Sequence, residues 1–102
     1  MNDRETIRKD IQDGLDAQKT QKDRNVMGQF STPYPLALDI MRYMHSVHGS
    51  DDASLIEPSI GMGVFYSAYT EVFSDNSRVV GFEIDPHYFN PACEFWKGAK
   101  LE

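Results

Sequence analysis

Apolar residues recur at helical spacing in three stretches of this chain. The first, residues 3–17, is otherwise charged, so it predicts a polar helix with a narrow apolar stripe. The second predicts a helix that starts at Pro33, is capped by Thr32 and stops at Gly49. The third begins at Val64 and predicts an amphipathic helix. The apolar positions are Ile7, Ile11 and Leu15; Leu36, Ile40, Met44 and Val47; and Phe65, Ala68, Tyr69, Val72 and Phe73.

Two short apolar runs without helical spacing predict β-strands. Residues 54–57 follow a polar turn and end at Pro58, and residues 78–83 have the apolar character of a strand covered on both faces. Asp85 and Pro86 then predict the start of a last helix, with the aspartate as its cap. The chain is therefore predicted to be α/β and Rossmann-like, with one right-handed β-α-β unit, N-terminal helices and a following helix.

The end of the sequence suggests an incomplete sheet. Lys100–Glu102 follow the last predicted helix, and we expect no third strand there. A two-stranded sheet with two open edges is a weak domain, and its edges favour self-association. The chain is therefore interpreted as a fragment of a longer protein, with residues 101–102 as a candidate cloning remnant.

Composition narrows the classes of function. The 102 residues carry a net charge of −6, whereas nucleic-acid-binding domains usually have a basic footprint, so a parent that handles DNA would contact phosphates elsewhere. The single cysteine, Cys93, excludes an internal disulfide and a cysteine metal quartet. His45, His48 and His87 lack metal-ligand spacing, and we expect them at the surface. The chain has no apolar run of membrane-spanning length and no signal-peptide core, which predicts a cytoplasmic protein without membrane contact.

Candidate chemistry lies at the ends of the two predicted strands. Gly61 and Gly63 can take positive φ angles, which lets a ligand approach the backbone closely. Glu83 follows Gly61 by about 20 residues, the spacing of a carboxylate that accepts ribose hydroxyls on the neighbouring strand. Asp85 competes for this role, but capping of the last helix occupies its oxygens. We therefore expect Glu83 to be free for a ligand.

The same region argues against a phosphate-bearing cofactor. Glu57 precedes the glycine loop, where its carboxylate would attract a cationic amino group and repel phosphates. A dinucleotide fingerprint needs a third small residue three positions after Gly63, and this chain has Tyr66 there. The pattern therefore favours an adenosine cofactor without phosphates.

Three segments resemble, in order and spacing, the motifs of S-adenosylmethionine-dependent DNA methyltransferases that act on N6 of adenine, of the class whose cofactor motifs precede the catalytic motif. They are Gly28–Pro33, Leu55–Phe65 and Val80–Pro86, within residues 27–90. The resemblance implies a Rossmann-like methyltransferase fold and S-adenosylmethionine as the cofactor. For the parent protein it implies methyl transfer to an adenine extruded from DNA, as in a restriction–modification system.

The resemblance also implies which residues bind the cofactor. Phe30, Thr32 and Pro33 would lie beside the methionine moiety. Glu83 would bind the ribose hydroxyls, and Ile84 would pack on the adenine. The glycine-loop motif would supply the remaining contacts: Glu57, Pro58, Ser59, Gly61, Gly63 and Phe65.

The family's catalytic tetrapeptide, Asn or Asp followed by Pro-Pro and an aromatic residue, is not in this sequence. Asn90–Cys93 lacks the second proline and the aromatic residue, so we assign it no catalytic role. We expect this chain alone not to methylate DNA, and DNA to be bound by the rest of the parent. Residues 1–26 would be a charged helix and linker, and residues 27–100 a partial S-adenosylmethionine-binding methyltransferase domain. The alternatives are an RNA or protein N-methyltransferase with the same cofactor, or a non-catalytic assembly module.

Overall fold

The computed structural model describes residues 3–23, 31–73 and 78–102. Predictions for Gly28–Phe30 and for residues 24–26 therefore lie outside the described residues. The elements, in chain order, are α1 Asp3–Ala17, α2 Tyr34–His48, β1 Leu55–Glu57, α3 Val64–Val72, β2 Val79–Gly81, α4 Pro86–Phe95 and β3 Lys100–Leu101.

The strands form one parallel sheet in the order β1-β2-β3. The pairing of β1 with β2 through α3 confirms the predicted β-α-β unit. The expectation of no third strand is wrong, because Lys100 and Leu101 pair with Val80 and Gly81. The Glu102 N–H also donates to the Gly81 carbonyl at 2.8 Å. Only backbone pairing defines this strand, and the sequence contains no apolar run that would predict it. A cloning origin for residues 101–102 stays a prediction.

The core is built around α3, which is buried on most of its surface. Ala68 and Tyr69 are fully enclosed. Trp96, at the end of α4, stacks on Tyr66 with ring centroids 4.1 Å apart, and its indole N–H donates to the Met62 carbonyl at 2.9 Å. These contacts fix the end of α4 against α3 and against the loop that precedes it.

The helix predicted over residues 3–17 is confirmed as α1, but it buries a different face. Ile11 and Leu15 pack against the core, whereas Ile7 is 53% exposed. The positions of α1 that are buried are polar: Glu5, Arg8 and Gln12. The predicted apolar stripe is therefore only part of the packing surface.

α2 differs from its prediction at its start and in its packed face. It begins at Tyr34, with Pro33 in an extended conformation as the N-cap and no capping side chain, so the expected Thr32 cap is wrong. The stop at Gly49 is confirmed by its φ of 78° and its N–H bond to the His45 carbonyl at 2.9 Å. Tyr34, Ala37 and Met41 are buried, and the predicted apolar stripe is exposed: Leu36, Ile40, Met44 and Val47.

α4 starts as predicted. The Asp85 carboxylate accepts the His87 N–H at 3.0 Å, and Pro86 takes the first helical position. Within the described ranges, every helix is too short or too polar to cross a lipid bilayer.

Candidate ligand-binding site

Glu83 joins the carboxyl ends of β1 and β2. Its Oε1 accepts the Gly61 N–H at 2.9 Å, and its Oε2 accepts the Asp85 N–H at 3.0 Å. The expectation that this carboxylate is unoccupied is therefore wrong, because both oxygens accept hydrogen bonds from backbone N–H groups. A carboxylate offers about four lone-pair sites, so about two remain for a ligand. The structure does bring Glu83 to the glycine loop, as the sequence predicts.

A cavity of about 190 Å³ opens beside this bridge. The sequence-predicted residues that line it are Thr32, Ser59, Gly61, Phe65, Glu83 and Ile84. Pro33, Glu57, Pro58 and Gly63 are not part of its lining. Phe30 lies outside the described residues. The predicted site residues thus separate into a group that shares one cavity and a group that surrounds it.

The two loop glycines serve different purposes. Gly61 has a φ of 54°, and a Cβ built on it would meet open space. Gly63 has a φ of 87°, and a Cβ there would lie 2.3 Å from Nε1 of the Trp96 indole. Gly63 therefore allows the close approach of Trp96 to the loop, whereas Gly61 leaves room beside the cavity.

Glu57 lies half-buried at the end of β1. Its Oε1 accepts the Ser59 N–H at 3.0 Å, which closes the turn after the strand. Burial raises the pKa of this carboxyl above its ordinary value of 4.5, and the bond from Ser59 opposes the rise. Glu57 therefore shapes the loop, and its predicted role in holding a cationic amino group stays a prediction.

α1 and α4 contribute lining residues that sequence reasoning missed: Gln12, Asp16 and Tyr88. The Tyr88 hydroxyl donates to Oδ1 of Asp16 at 2.6 Å. The Gln12 amide donates to the Ser31 hydroxyl next to Thr32. A charged helix to which the sequence assigned no site residue therefore makes one wall of the cavity.

Three contacts fasten the end of α1 to the start of α4. Besides the bond from Tyr88 to Asp16, Nε2 of His87 donates to the Leu15 carbonyl at 2.8 Å. Lys19 pairs with Asp85 at 2.5 Å, and both side chains are largely buried. The expectation of a solvated role is wrong for His87, which is half-buried and bound to α1.

The chemistry of the cavity is acidic and partly apolar. Its ionisable carboxylates are Asp16 and Glu83, and no lysine or arginine belongs to the described residues that line it. Such a site favours cations and hydroxyl donors and disfavours phosphate groups. Ile84, which is 86% exposed, gives a flat ligand an apolar surface to cover.

Comparison with known proteins adds no family to this geometry. No protein-family model matches the chain, and no solved structure matches it at a significant level. What the structure establishes is a mixed α/β fold with a small parallel sheet of three strands among its described residues.

Proposed function

We propose that this chain is the S-adenosylmethionine-binding part of an adenine-N6 DNA methyltransferase. The observation that carries the proposal is the position of Glu83 across the carboxyl ends of two adjacent parallel strands, against Gly61 and inside an acidic cavity. Open α/β sheets bind ligands at the carboxyl ends of their strands. The ligand placed there would be the adenosyl part of the cofactor.

The strand order supports a Rossmann-like interpretation of the fold. A doubly wound sheet has the order 3-2-1-4-5-6, and the order β1-β2-β3 corresponds to one half of it. In that arrangement the first strand lies at the centre of the sheet and the crevice opens beside it. β1, with its following glycine loop, has this position in the proposed parent protein.

The charges of the cavity favour a sulfonium cofactor over a nucleotide. S-adenosylmethionine carries a positive sulfur and an ammonium group, and Asp16 and Glu83 provide negative charge around it. The cavity of about 190 Å³ is smaller than the roughly 300–1,000 Å³ of typical ligand sites. It therefore suits the ribose and the groups next to it rather than the whole cofactor.

Specificity for adenine in DNA rests on the resemblance of Gly28–Pro33, Leu55–Phe65 and Val80–Pro86 to the methyltransferase motifs. Methyl transfer to an amine is an in-line displacement in which positioning supplies much of the acceleration. In this proposal, Glu83 and Ile84 fix the adenosyl group, and the rest of the parent protein supplies the catalytic tetrapeptide and the DNA contacts. The chain alone binds the cofactor without transferring its methyl group.

Calorimetric titration with S-adenosylmethionine tests the proposal. The unmodified chain should bind, and Glu83→Gln should weaken binding about tenfold, because a neutral amide accepts hydroxyl hydrogen bonds less strongly than a carboxylate. Glutamine retains one oxygen for a backbone N–H, so the loop is less disturbed than in an alanine variant. Glu94→Gln, at an exposed position on α4, is the matched control and should bind like the unmodified chain.

ATP is the contrasting ligand in the same titration. It shares the adenosine of S-adenosylmethionine but carries phosphates, which the carboxylates Asp16 and Glu83 should repel. Tighter binding of ATP than of S-adenosylmethionine, or no heat with either ligand at millimolar concentration, would overturn the proposed cofactor.

A further inference from the structure

Asp16 lines the cavity with a carboxylate of which the described residues use one oxygen. Oδ1 accepts the Tyr88 hydroxyl at 2.6 Å. For Oδ2, no donor is found among the residues that the structure describes. Its neighbour in the wall, Gln12, differs: its amide oxygen accepts from Arg8 at 2.5 Å and its amide nitrogen donates to Ser31. Asp16 is therefore the charged member of the α1 wall, and among the described residues one whole carboxylate oxygen is left for a ligand.

The position of Asp16 is set by contacts on both sides of it. The preceding residue, Leu15, accepts from His87 at 2.8 Å, and three residues later Lys19 pairs with Asp85 at 2.5 Å. Tyr88 holds the side chain itself. A carboxylate that is oriented by its fold loses little freedom when it binds a ligand, which favours affinity.

The ligand group that fits Oδ2 carries both a positive charge and N–H donors. Lys19, which follows the end of α1, pairs with Asp85, and the described lining contains no basic side chain. A sulfonium has charge but no hydrogen to donate, and the ribose hydroxyls have Glu83. An ammonium group has three donors and forms charge-assisted hydrogen bonds with a carboxylate.

We propose that Asp16, and not Glu57, binds the ammonium group of the amino-acid part of the cofactor. This assignment rests on the proposed function. Glu57 does not line the cavity, and its carboxylate accepts the Ser59 N–H. α1 thereby completes the ligand site from outside the three sequence motifs.

Calorimetry on Asp16→Asn with three ligands tests the assignment. S-adenosylmethionine and S-adenosylhomocysteine carry the ammonium group, and 5′-methylthioadenosine keeps the adenosyl part without it. Asp16→Asn should weaken binding of the first two by about tenfold or more and leave the third within about twofold. Asparagine keeps an oxygen that accepts the Tyr88 hydroxyl, so the thermal unfolding midpoint should stay near that of the unmodified chain.

Asp13→Asn is the matched control, because Asp13 is an exposed residue of the same helix that pairs with Lys9 at 2.7 Å. It should change binding of none of the ligands. Equal weakening for all three ligands in Asp16→Asn, or no weakening, would overturn the ammonium assignment and leave the proposed function intact. If the unmodified chain binds none of the ligands, the proposed function fails and the assignment falls with it.

Discussion

α1 and α2 bury opposite kinds of side chain. α1 turns Glu5 and Arg8 inward, with exposures of 0% and 1%, and leaves Ile7 in solvent. α2 buries Ala37 and Met41 and exposes most of its large apolar residues. The exposed set is Leu36, Ile40, Tyr43, Met44 and Val47. Hydrophobicity alone therefore assigns the wrong face to α2 and finds only part of the packed face of α1.

The difference shows that available partners, and not polarity, decide which groups are buried. Nε and Nη2 of Arg8 donate to the Glu5 carboxylate at 2.5 and 2.9 Å, and Nη1 donates to Gln12 at 2.5 Å. Spacings of three and four residues place these side chains together on one face of the helix. The buried charges thus satisfy one another, which is the condition for burying them at all. α2 instead packs through a small residue and a flexible one, Ala37 and Met41, so its bulky residues lie outward.

The largest effect should come from breaking the buried pair of α1. Arg8→Met removes the guanidinium that pairs with the buried Glu5 carboxylate and should lower the free energy of unfolding by about 3–5 kcal/mol. Methionine and arginine have similar helix propensities, so the loss reports the pair and not the helix. Urea unfolding followed by circular dichroism measures it.

Two controls separate burial from charge in that experiment. The double variant Glu5→Leu, Arg8→Met removes both charges and should recover most of the loss, since apolar residues can replace a buried pair. Lys9→Met breaks the exposed pair with Asp13 on the same helix and should change stability little. If the single Arg8→Met variant is as stable as the Lys9→Met control, the conclusion that available partners decide which groups α1 buries is refuted.

An intermediate effect is expected from the two methionines of α2. Met41 is 3% exposed and Met44 is 48% exposed, so the same substitution samples both faces of one helix. Met41→Ala should destabilise by about 2–4 kcal/mol through the cavity it leaves. Met44→Ala should change stability by less than about 0.5 kcal/mol. Unfolding at two protein concentrations checks the comparison; a concentration-dependent loss in Met44→Ala would mean that a second copy covers the exposed face.

The sequence is sufficient to predict the β-α-β unit and its crevice because each part has a local cause. Apolar runs define β1 and β2, positive-φ glycines define the loop, and Asp85–Pro86 defines the start of α4. Parallel strands place their carboxyl ends at one edge, so the meeting of Gly61 and Glu83 follows from the strand order. The predicted cofactor and reaction stay predictions.

The remaining features depend on long-range contacts that leave weak local signals. Asp16 becomes a cavity residue because Tyr88, 72 residues away, holds it. β3 has two residues and is defined by pairing with β2. One signal was available in α1: Glu5, Arg8 and Gln12 follow at spacings of three and four, which allows polar side chains to satisfy one another inside a protein. A search for such self-satisfying sets beside apolar stripes would have found the buried face.

The smallest effect concerns Glu57, a half-buried carboxylate with no compensating cation in the described part of the chain. Because burial raises its folded-state pKa above 4.5, Glu57 favours folding when protonated, and this contribution disappears as the pH rises through the raised value. Glu57→Gln mimics the protonated group and still accepts the Ser59 N–H. The Glu57→Gln variant should therefore be more stable than the unmodified chain near neutral pH, and the difference in stability should shrink toward zero in acid. Urea midpoints from about pH 4 to about pH 8, with exposed Glu94→Gln as the control, measure this difference. A difference that grows toward acid would show that the ionised carboxylate is stabilised by its surroundings. The conclusion that a buried charge needs a compensating partner would then not hold at the end of β1.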